Sequence, residues 1–436
     1  MTMTSLLKWA RRAINKGPSP VLRFPTSGFE VIKPSQILEE ERYQKFKKGY
    51  YYPVTIGDVL VSKYQVLGKL GFGTTSTVWL ARDLQNCLYV TLKAYTRGGT
   101  GQGEIQTSQA LSQGDRSHPG YVYVRTALDA FTIQNQGNGH HENEHHCLVQ
   151  KPMWGSFRHL MYRSPAHRLS DDLLKSGLKQ IFLALDYLHT ECRLVHTDIK
   201  SDNILQELEE MSILDRFTDT EIKHPSARKS VNDMPVYASR RFEFPQELGR
   251  AVLSDFGSAV RGDEKRNHDA QPTIYRSPEV MLKIEWSYPV DIWNVGVMIW
   301  DLFEGKHMFL GIDPDGKGYS TRMHLAEVIG LLGHPPSDLL KRADRSDEFF
   351  TKYGMRRLMT KTILLYRSDA GICLIGHWKN EIKVPGEMSL ERTEERLSGR
   401  NKEMFLNFMS GMLQWRPEDR KTAKQLLKDP WLHVDN

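Results

Sequence analysis

Between Tyr64 and Ala94 the apolar residues fall into three short runs, Tyr64–Leu70, Thr77–Arg82 and Leu88–Ala94, separated by glycines and polar turn residues. That pattern predicts three strands. In the third, Leu88, Val90 and Leu92 alternate with Tyr89, Thr91 and Lys93, so a period of two places Thr91 and Lys93 on one face. Gly98, Gly99, Gly101 and Gly103 form a loose approach to a helix predicted around Glu104–Leu111. A polar insert, Gln134–His146, leads into another apolar strand at Cys147–Val149. Beyond Ser156 the period lengthens. Leu174, Leu178, Ile181, Phe182, Leu185 and Leu188 form a helical stripe, with Ser170 as its N-cap. The short apolar pairs Leu194–Val195 and Ile204–Leu205 flank a polar loop, and Val252–Leu253 resumes order after a long, weakly patterned segment, Gln206–Arg250. From Val290 onward the chain reads as helices and loops. Strands first and helices afterwards predict an α+β fold with two lobes.

The boundaries that follow are a basic arm and charged lead-in over residues 1–50, a β-rich lobe over 51–155, and a larger helical lobe over 156–436 with a spacer at about 206–250. Within the lead-in, the charged run Ile37–Lys48 predicts a short surface helix. The richest apolar stretch, Ile292–Phe303, is too short to span a bilayer and reads as a buried core helix.

Composition narrows the classes. With 436 residues, 39% of them apolar, the chain can bury a core without disulfide staples, which excludes a small cysteine framework, a collagen and a mostly disordered protein. The net charge of +6 is mild for this size and gives no dense basic stripe for nucleic acid. Cys87, Cys147, Cys192 and Cys373 are scattered, with no CxxC pair, which fits reduced thiols in a cytosolic or nuclear setting. The first acidic residue is Glu30, and Lys8, Arg11, Arg12, Lys16 and Arg23 precede it. A basic, acid-free start is compatible with a mitochondrial transit peptide; a floppy basic arm is the preferred reading. Nothing points to a membrane partner or an oligomer, and a monomer is the default.

Four separated motifs carry chemistry. The first, Leu70-Gly71-Phe72-Gly73-Thr74-Thr75-Ser76-Thr77-Val78, joins two predicted strands. Glycines at such a turn let backbone N–H groups approach phosphates. No helix follows at once, which excludes a dinucleotide fingerprint, and no Gly-Lys-Ser/Thr follows, which excludes a P-loop. The second is Lys93 in Val90-Thr91-Leu92-Lys93, suited to pairing with phosphates, with Glu104 on the next helix as counter-charge. The third is His196-Thr197-Asp198-Ile199-Lys200-Ser201-Asp202-Asn203. In this pattern Asp198 accepts the substrate hydroxyl proton, Lys200 offsets charge on the moving phosphoryl group, and Asn203 holds metal. The fourth, Asp255-Phe256-Gly257, follows an apolar strand and precedes Ser277-Pro278-Glu279; its aspartate is the expected Mg²⁺ ligand.

In this order the motifs resemble the eukaryotic protein kinase superfamily over roughly Tyr64–Leu432. The resemblance implies a protein-kinase-like fold that binds Mg²⁺-ATP under the 70–78 loop. It also implies a Glu279–Arg420 pair and a central buried helix beginning at Asp291-Ile292-Trp293. Tyr51-Tyr52-Pro53-Val54-Thr55-Ile56-Gly57-Asp58, Ser76-Thr77-Val78-Trp79-Leu80 and His196-Thr197-Asp198-Ile199-Lys200 look like the SR-protein kinase family, in its compact fungal form. Members phosphorylate serines in Arg/Ser-rich splicing factors, so the implied partner is a protein substrate of that kind. Lys200 resembles the serine/threonine group.

Several positions depart from the family pattern. Ser76 replaces the third glycine, as in the narrower family. Thr91 replaces a small alanine and should face the adenine pocket. Gln150 falls at the gatekeeper position, Lys151 should contact nucleotide through its backbone, and Met153 should supply the next hinge contact. Gly139-His140-His141-Glu142-Asn143-Glu144-His145-His146 could bind zinc or nickel, and a solvated hairpin tip is the preferred reading.

Three readings follow: an active serine/threonine kinase, a pseudokinase scaffold, or a related kinase with dual-specificity or proline-directed substrates. The intact set Lys93, Asp198, Asn203 and Asp255 favours the first. Thr197 removes the arginine that usually reads a loop phosphate, Pro272 replaces a threonine that usually bonds the catalytic Asp and Lys, and Ser258–Ile274 is short. The loop is therefore expected to be held by packing, not switched by phosphorylation. Phosphatase treatment should leave the phosphotransfer rate unchanged; a fall in rate would show that a phosphate holds the loop.

Overall fold

The structure is a computed structural model and describes residues 18–99, 101–134, 144–232, 234–351, 378–379, 384–386 and 388–434. Contacts divide it into two compact units, 1–156 with 204–258 and 157–203 with 259–436.

The first unit is built on a six-stranded antiparallel sheet. Its strands are β1 (Val59–Leu60), β2 (Tyr64–Phe72), β3 (Ser76–Asp83), β4 (Leu88–Tyr95), β5 (Asp129–Gln134) and β6 (Glu144–Gln150), in the order β1-β2-β3-β4-β6-β5. The three strands expected from the alternation are β2, β3 and β4, each a residue or two longer than the apolar run. Val66, Trp79, Ala81, Val90, Leu92 and Val149 form the core of one face. Helix α1 (Gly101–Gln113) buries Glu104, Ser108 and Leu111, a spacing of four and three that keeps one side turned inward. A second, three-stranded sheet joins β7 (Met153–Ser156), β9 (Ile204–Glu207) and β12 (Ala251–Leu253) in the order β12-β9-β7.

Two segments differ from their sequence expectation. The Ile37–Lys48 run forms a short 3-10 turn, Glu39–Arg42, and one helical turn, Gln44–Lys47. It is not a surface helix. Glu39 and Glu40 pair with the fully buried Lys69 of β2, and Glu41 with Lys229, so the acidic side faces in. The weakly patterned Gln206–Arg250 segment holds helix α3 (Ser212–Lys223) and a hairpin of β10 (Arg228–Val231) and β11 (Met234–Tyr237). By its contacts this segment groups with the sheet of the first unit, whereas the sequence placed it within the helical lobe. Packing explains the grouping. Phe217 of α3 lies against Gly68, where an added Cβ would come within 2.7 Å of its ring.

The second unit is helical. Helix α2 (Asp171–Asp186) starts at Ser170, whose hydroxyl accepts from the Leu173 amide at 3.4 Å, and continues into a π-helical turn, Tyr187–Glu191. All six residues of the predicted stripe are buried. Helix α4 (Pro289–Glu304) buries every residue from Val290 to Phe303 and ends at Gly305, whose φ of 73° takes the left-handed conformation that favours glycine. Among the described residues no helix is long and apolar enough to cross a membrane. Strand β8 (Leu194–Val195) pairs with β13 (Val260–Arg261), fixing the start of the loop that carries Asp198 and the start of the 258–274 segment to one small ladder.

The buried charges of α4 have partners. Asp291 accepts from the amides of His196 and Thr197, both at 2.8 Å. Asp301 accepts from the Tyr275 hydroxyl at 2.6 Å and the Met308 amide at 3.2 Å. The expected Glu279–Arg420 pair is bidentate, at 2.6 and 2.7 Å, with both side chains fully buried. Removing one member strands the other charge in the core. Arg420→Ala is therefore expected to destabilise the protein by about 3–5 kcal/mol, and Arg420→Met with Glu279→Leu by much less. Chemical denaturation of the two variants distinguishes a stranded charge from lost packing.

Candidate active site

Site residues assemble separately on each unit. On the first, Leu70, Gly71 and Phe72 end β2, Gly73, Thr74 and Thr75 make the turn, and Ser76, Thr77 and Val78 begin β3. Gly71 pairs with Val78 and Phe72 with Thr77, so this is a hairpin of two long strands. The register shifts between Lys69 and Gly71, a bulge that bends the strand just before the turn. The turn closes through the Gly73 amide donating to Ser76 O at 2.8 Å, and the Tyr51 hydroxyl donates to Gly73 O at 2.6 Å. Tyr51, the first residue of the 51–58 motif, thus braces the turn, a role that its local sequence does not announce.

Lys93 lies on β4 opposite Val78. Its ammonium donates to both carboxylate oxygens of Glu104 at 2.8 Å and to Asp255 at 3.0 Å. Burial alone would push Lys93 down, but Glu104 and Asp255 more than offset it and hold the ammonium above its ordinary pKa. Glu104 is almost fully enclosed, while the Asp255 side chain keeps 44% of its exposure. Asp255 itself adopts φ 69°, a costly conformation for a residue other than glycine. Gly257 beside it has no room for a side chain: a Cβ there would meet Glu104 Oε2 at 2.9 Å.

Thr91 is buried opposite Gln150 on β6, and its hydroxyl has no partner. The Lys151 side chain turns to Glu207 at 3.0 Å, and Arg250 closes on the same carboxylate at 2.6 Å. Burial favours the neutral acid, but Arg250 and Lys151 outweigh it and lower the Glu207 pKa. The Lys151 side chain is thus committed to Glu207. Met153 begins β7 and is buried.

On the second unit, Asp198 is the hub. Lys200 donates to both of its carboxylate oxygens, at 2.9 and 2.8 Å. Asn203 Nδ2 donates to Asp198 O at 2.8 Å and to Oδ2 at 2.9 Å, leaving Oδ1 as its remaining polar atom. Thr197 takes φ 67°, held by the bond from its amide to Asp291. The 258–274 segment is pinned by neutral bonds and ion pairs: Gln271 Nε2 donates to Val290 O, the Ser277 hydroxyl to Gln271 Oε1, Trp286 Nε1 to His268 O, and Lys283 pairs with Asp269 and Lys265 with Glu285. Pro272 lines a cavity with Arg158, Tyr162, Lys200, Asp202 and Asp301. Sequence reasoning had not singled out Arg158, Tyr162 and Asp301 as cavity walls, because they lie on helices outside the His196–Asn203 motif.

The donor chemistry fits the expected cofactor. Mg²⁺ takes oxygen ligands, and the exposed Asp255 carboxylate and Asn203 Oδ1 are of that type. A buried ammonium at the sheet and a glycine turn with accessible backbone suit phosphates. Of the histidine tract only Glu144, His145 and His146 are described. His145 lies buried in β6 with Nδ1 2.9 Å from Tyr95 O, His146 bonds Thr132, and residues 139–143 lie outside the described residues. Among the described residues no cluster of three or more His, Cys, Asp or Glu could hold a metal.

The protein kinase domain model matches residues 64–240 and 243–432. The chain belongs to the protein kinase family. It is 40% identical over 97% of both chains to a serine/threonine protein kinase of Aspergillus fumigatus. It is 28% identical to the serine/threonine-protein kinase SRPK of Physarum polycephalum (90% and 91% covered) and 23% identical to SRSF protein kinase 3 of Mus musculus (91% of both). Within the family it is a serine/threonine kinase of the SR-protein-kinase-like group.

Glu104→Gln keeps the shape of the Lys93 pocket and removes its charge. Losing one charged hydrogen bond is expected to lower kcat/KM by about ten- to a hundredfold with little change in melting temperature. Steady-state kinetics beside a thermal melt checks this.

Proposed function

We propose that the protein transfers the ATP γ-phosphate to serine hydroxyls in Arg/Ser-rich protein segments. The observation that carries phosphotransfer is the joint survival of Lys93–Glu104–Asp255 on one unit and Asp198–Lys200–Asn203 on the other, each hydrogen-bonded internally. In this reading the 70–78 turn and Lys93 hold the phosphates, and Asp255 and Asn203 hold Mg²⁺. When bound, the metal neutralises charge on the phosphates. Asp198 orients the hydroxyl and receives its proton, and Lys200 offsets the charge of the transferring group. Catalysis of this kind is positioning and electrostatics.

The exposed Asp202 carboxylate in the cavity beside Lys200 supports the arginine preference. Arg158 meets Asp202 at 3.2 Å, and their side chains keep 51% and 42% of their exposure. Such an exposed pair is worth about 0–1 kcal/mol. A substrate guanidinium can therefore replace Arg158 on Asp202 at little cost, beside the Asp301 carboxylate. The names of the SRPK and SRSF kinase relatives point the same way.

The test is transfer of radiolabelled phosphate from Mg²⁺-ATP to an Arg/Ser repeat peptide and to myelin basic protein, with Asp198→Ala as control. Transfer to the repeat peptide should vanish in the control, and Asp202→Asn should raise its KM several-fold without that effect on the generic substrate. Transfer to myelin basic protein alone would retain the kinase and remove the substrate assignment. Nucleotide binding without transfer to either would make the protein a scaffold.

A further inference from the structure

The nucleotide-binding face carries a cation that none of the four motifs contains. Arg125 lies between α1 and β5, and its amide donates to Leu253 O at 2.8 Å. Its side chain crosses the face of the first unit. Nη2 donates to the carbonyl of Lys151 at 2.9 Å, and Nη1 reaches Ser254 Oγ at 3.5 Å. Its charge lies within reach of Glu104 and Asp255. Burial lowers its pKa to about 10, so it remains charged at neutral pH. Arg125 is only partly enclosed, yet its Nε is buried with no hydrogen-bond partner. The guanidinium is therefore a donor fork with unspent N–H groups, set between the Lys93 cluster and the strand end where Lys151 and Met153 would meet a base.

Chemistry then decides which base suits this position. Adenine presents an amine donor at its 6-position, and that donor needs an acceptor. The Lys151 carbonyl accepts from Arg125 through one lone pair, and an amine at the other would lie against the cation. A guanidinium has five donors and no acceptor, so it opposes an amine. Guanine presents O6 and N7, both acceptors, and arginine pairs with that edge in a bidentate manner. The unpartnered Thr91 hydroxyl on the same face can donate as well.

We propose that Arg125 makes this a guanine-accepting nucleotide site, so that GTP binds at least as tightly as ATP and serves as phosphoryl donor. The inference rests on the kinase reading and adds the identity of the base. It concerns the 6-position and N7 edge, and leaves the phosphate contacts unchanged.

Equilibrium binding of ATP, GTP and ITP to the full chain with Mg²⁺ tests it, read by calorimetry and independently of turnover. ITP carries O6 and N7 without the 2-amine, so it isolates the edge in question on the unaltered protein. GTP and ITP are expected to bind as tightly as ATP or more so, and Arg125→Leu should shift the GTP-to-ATP affinity ratio by about tenfold or more toward ATP. Phosphate transfer from labelled GTP should follow the same order. Tight ATP binding with GTP and ITP both more than about tenfold weaker overturns the guanine assignment and leaves the kinase reading standing. Guanine preference that persists in Arg125→Leu overturns the role of Arg125. Failure of all three nucleotides to bind overturns both.

Discussion

A lysine enclosed on a β-strand keeps its charge only if carboxylates come to it, and the first unit is arranged around that requirement. Lys93 reaches Glu104 from one direction and Asp255 from another. To meet it, α1 must present its buried face at Glu104, and the chain after β12 must turn through an unfavourable backbone at Asp255. Gly257 must be small because Glu104 occupies the space a side chain would need. The ion cluster therefore dictates helix rotation, strand ending and a glycine at once. It also leaves the Asp255 side chain partly exposed.

The second unit solves a related problem with backbone amides. Asp291 and Asp301 sit within an otherwise apolar helix and are tolerated because each accepts several hydrogen bonds. Asp291 holds the backbone immediately before Asp198, so the catalytic loop is positioned by the core. Glu279 and Arg420 tie the segment after residue 274 to the far end of the chain. The neutral bonds through Gln271 anchor the end of the 258–274 segment to helix α4 and to Ser277.

Much of this was legible in the residues. The motifs at 70–78, 93, 196–203 and 255–257 carry their own spacing, and period-two alternation separated Lys93 and Thr91 from the apolar face. The helical stripe of Leu174–Leu188 was equally plain. The acidic clasp of Glu39–Glu41 was not, because a run of charges looks the same whether it meets solvent or a buried lysine. Helix α3 was missed although Ile213, Leu214, Phe217, Thr218 and Glu221 are spaced for one buried face. Thr218 and Glu221 are polar, and their burial depends on partners brought by the fold.

Sequence alone determined the class of protein and singled out its candidate reacting residues, since phosphotransfer demands particular side chains at particular local spacings. Tertiary structure decided which side chains outside the motifs share the site. Arg125 and Ser254 lie 129 residues apart, and Tyr51 and Gly73 are joined across 22. Nothing local constrains such pairs. They meet because antiparallel strands and packed helices bring distant segments within hydrogen-bond reach, and a burial cost then falls on any polar group left without a partner.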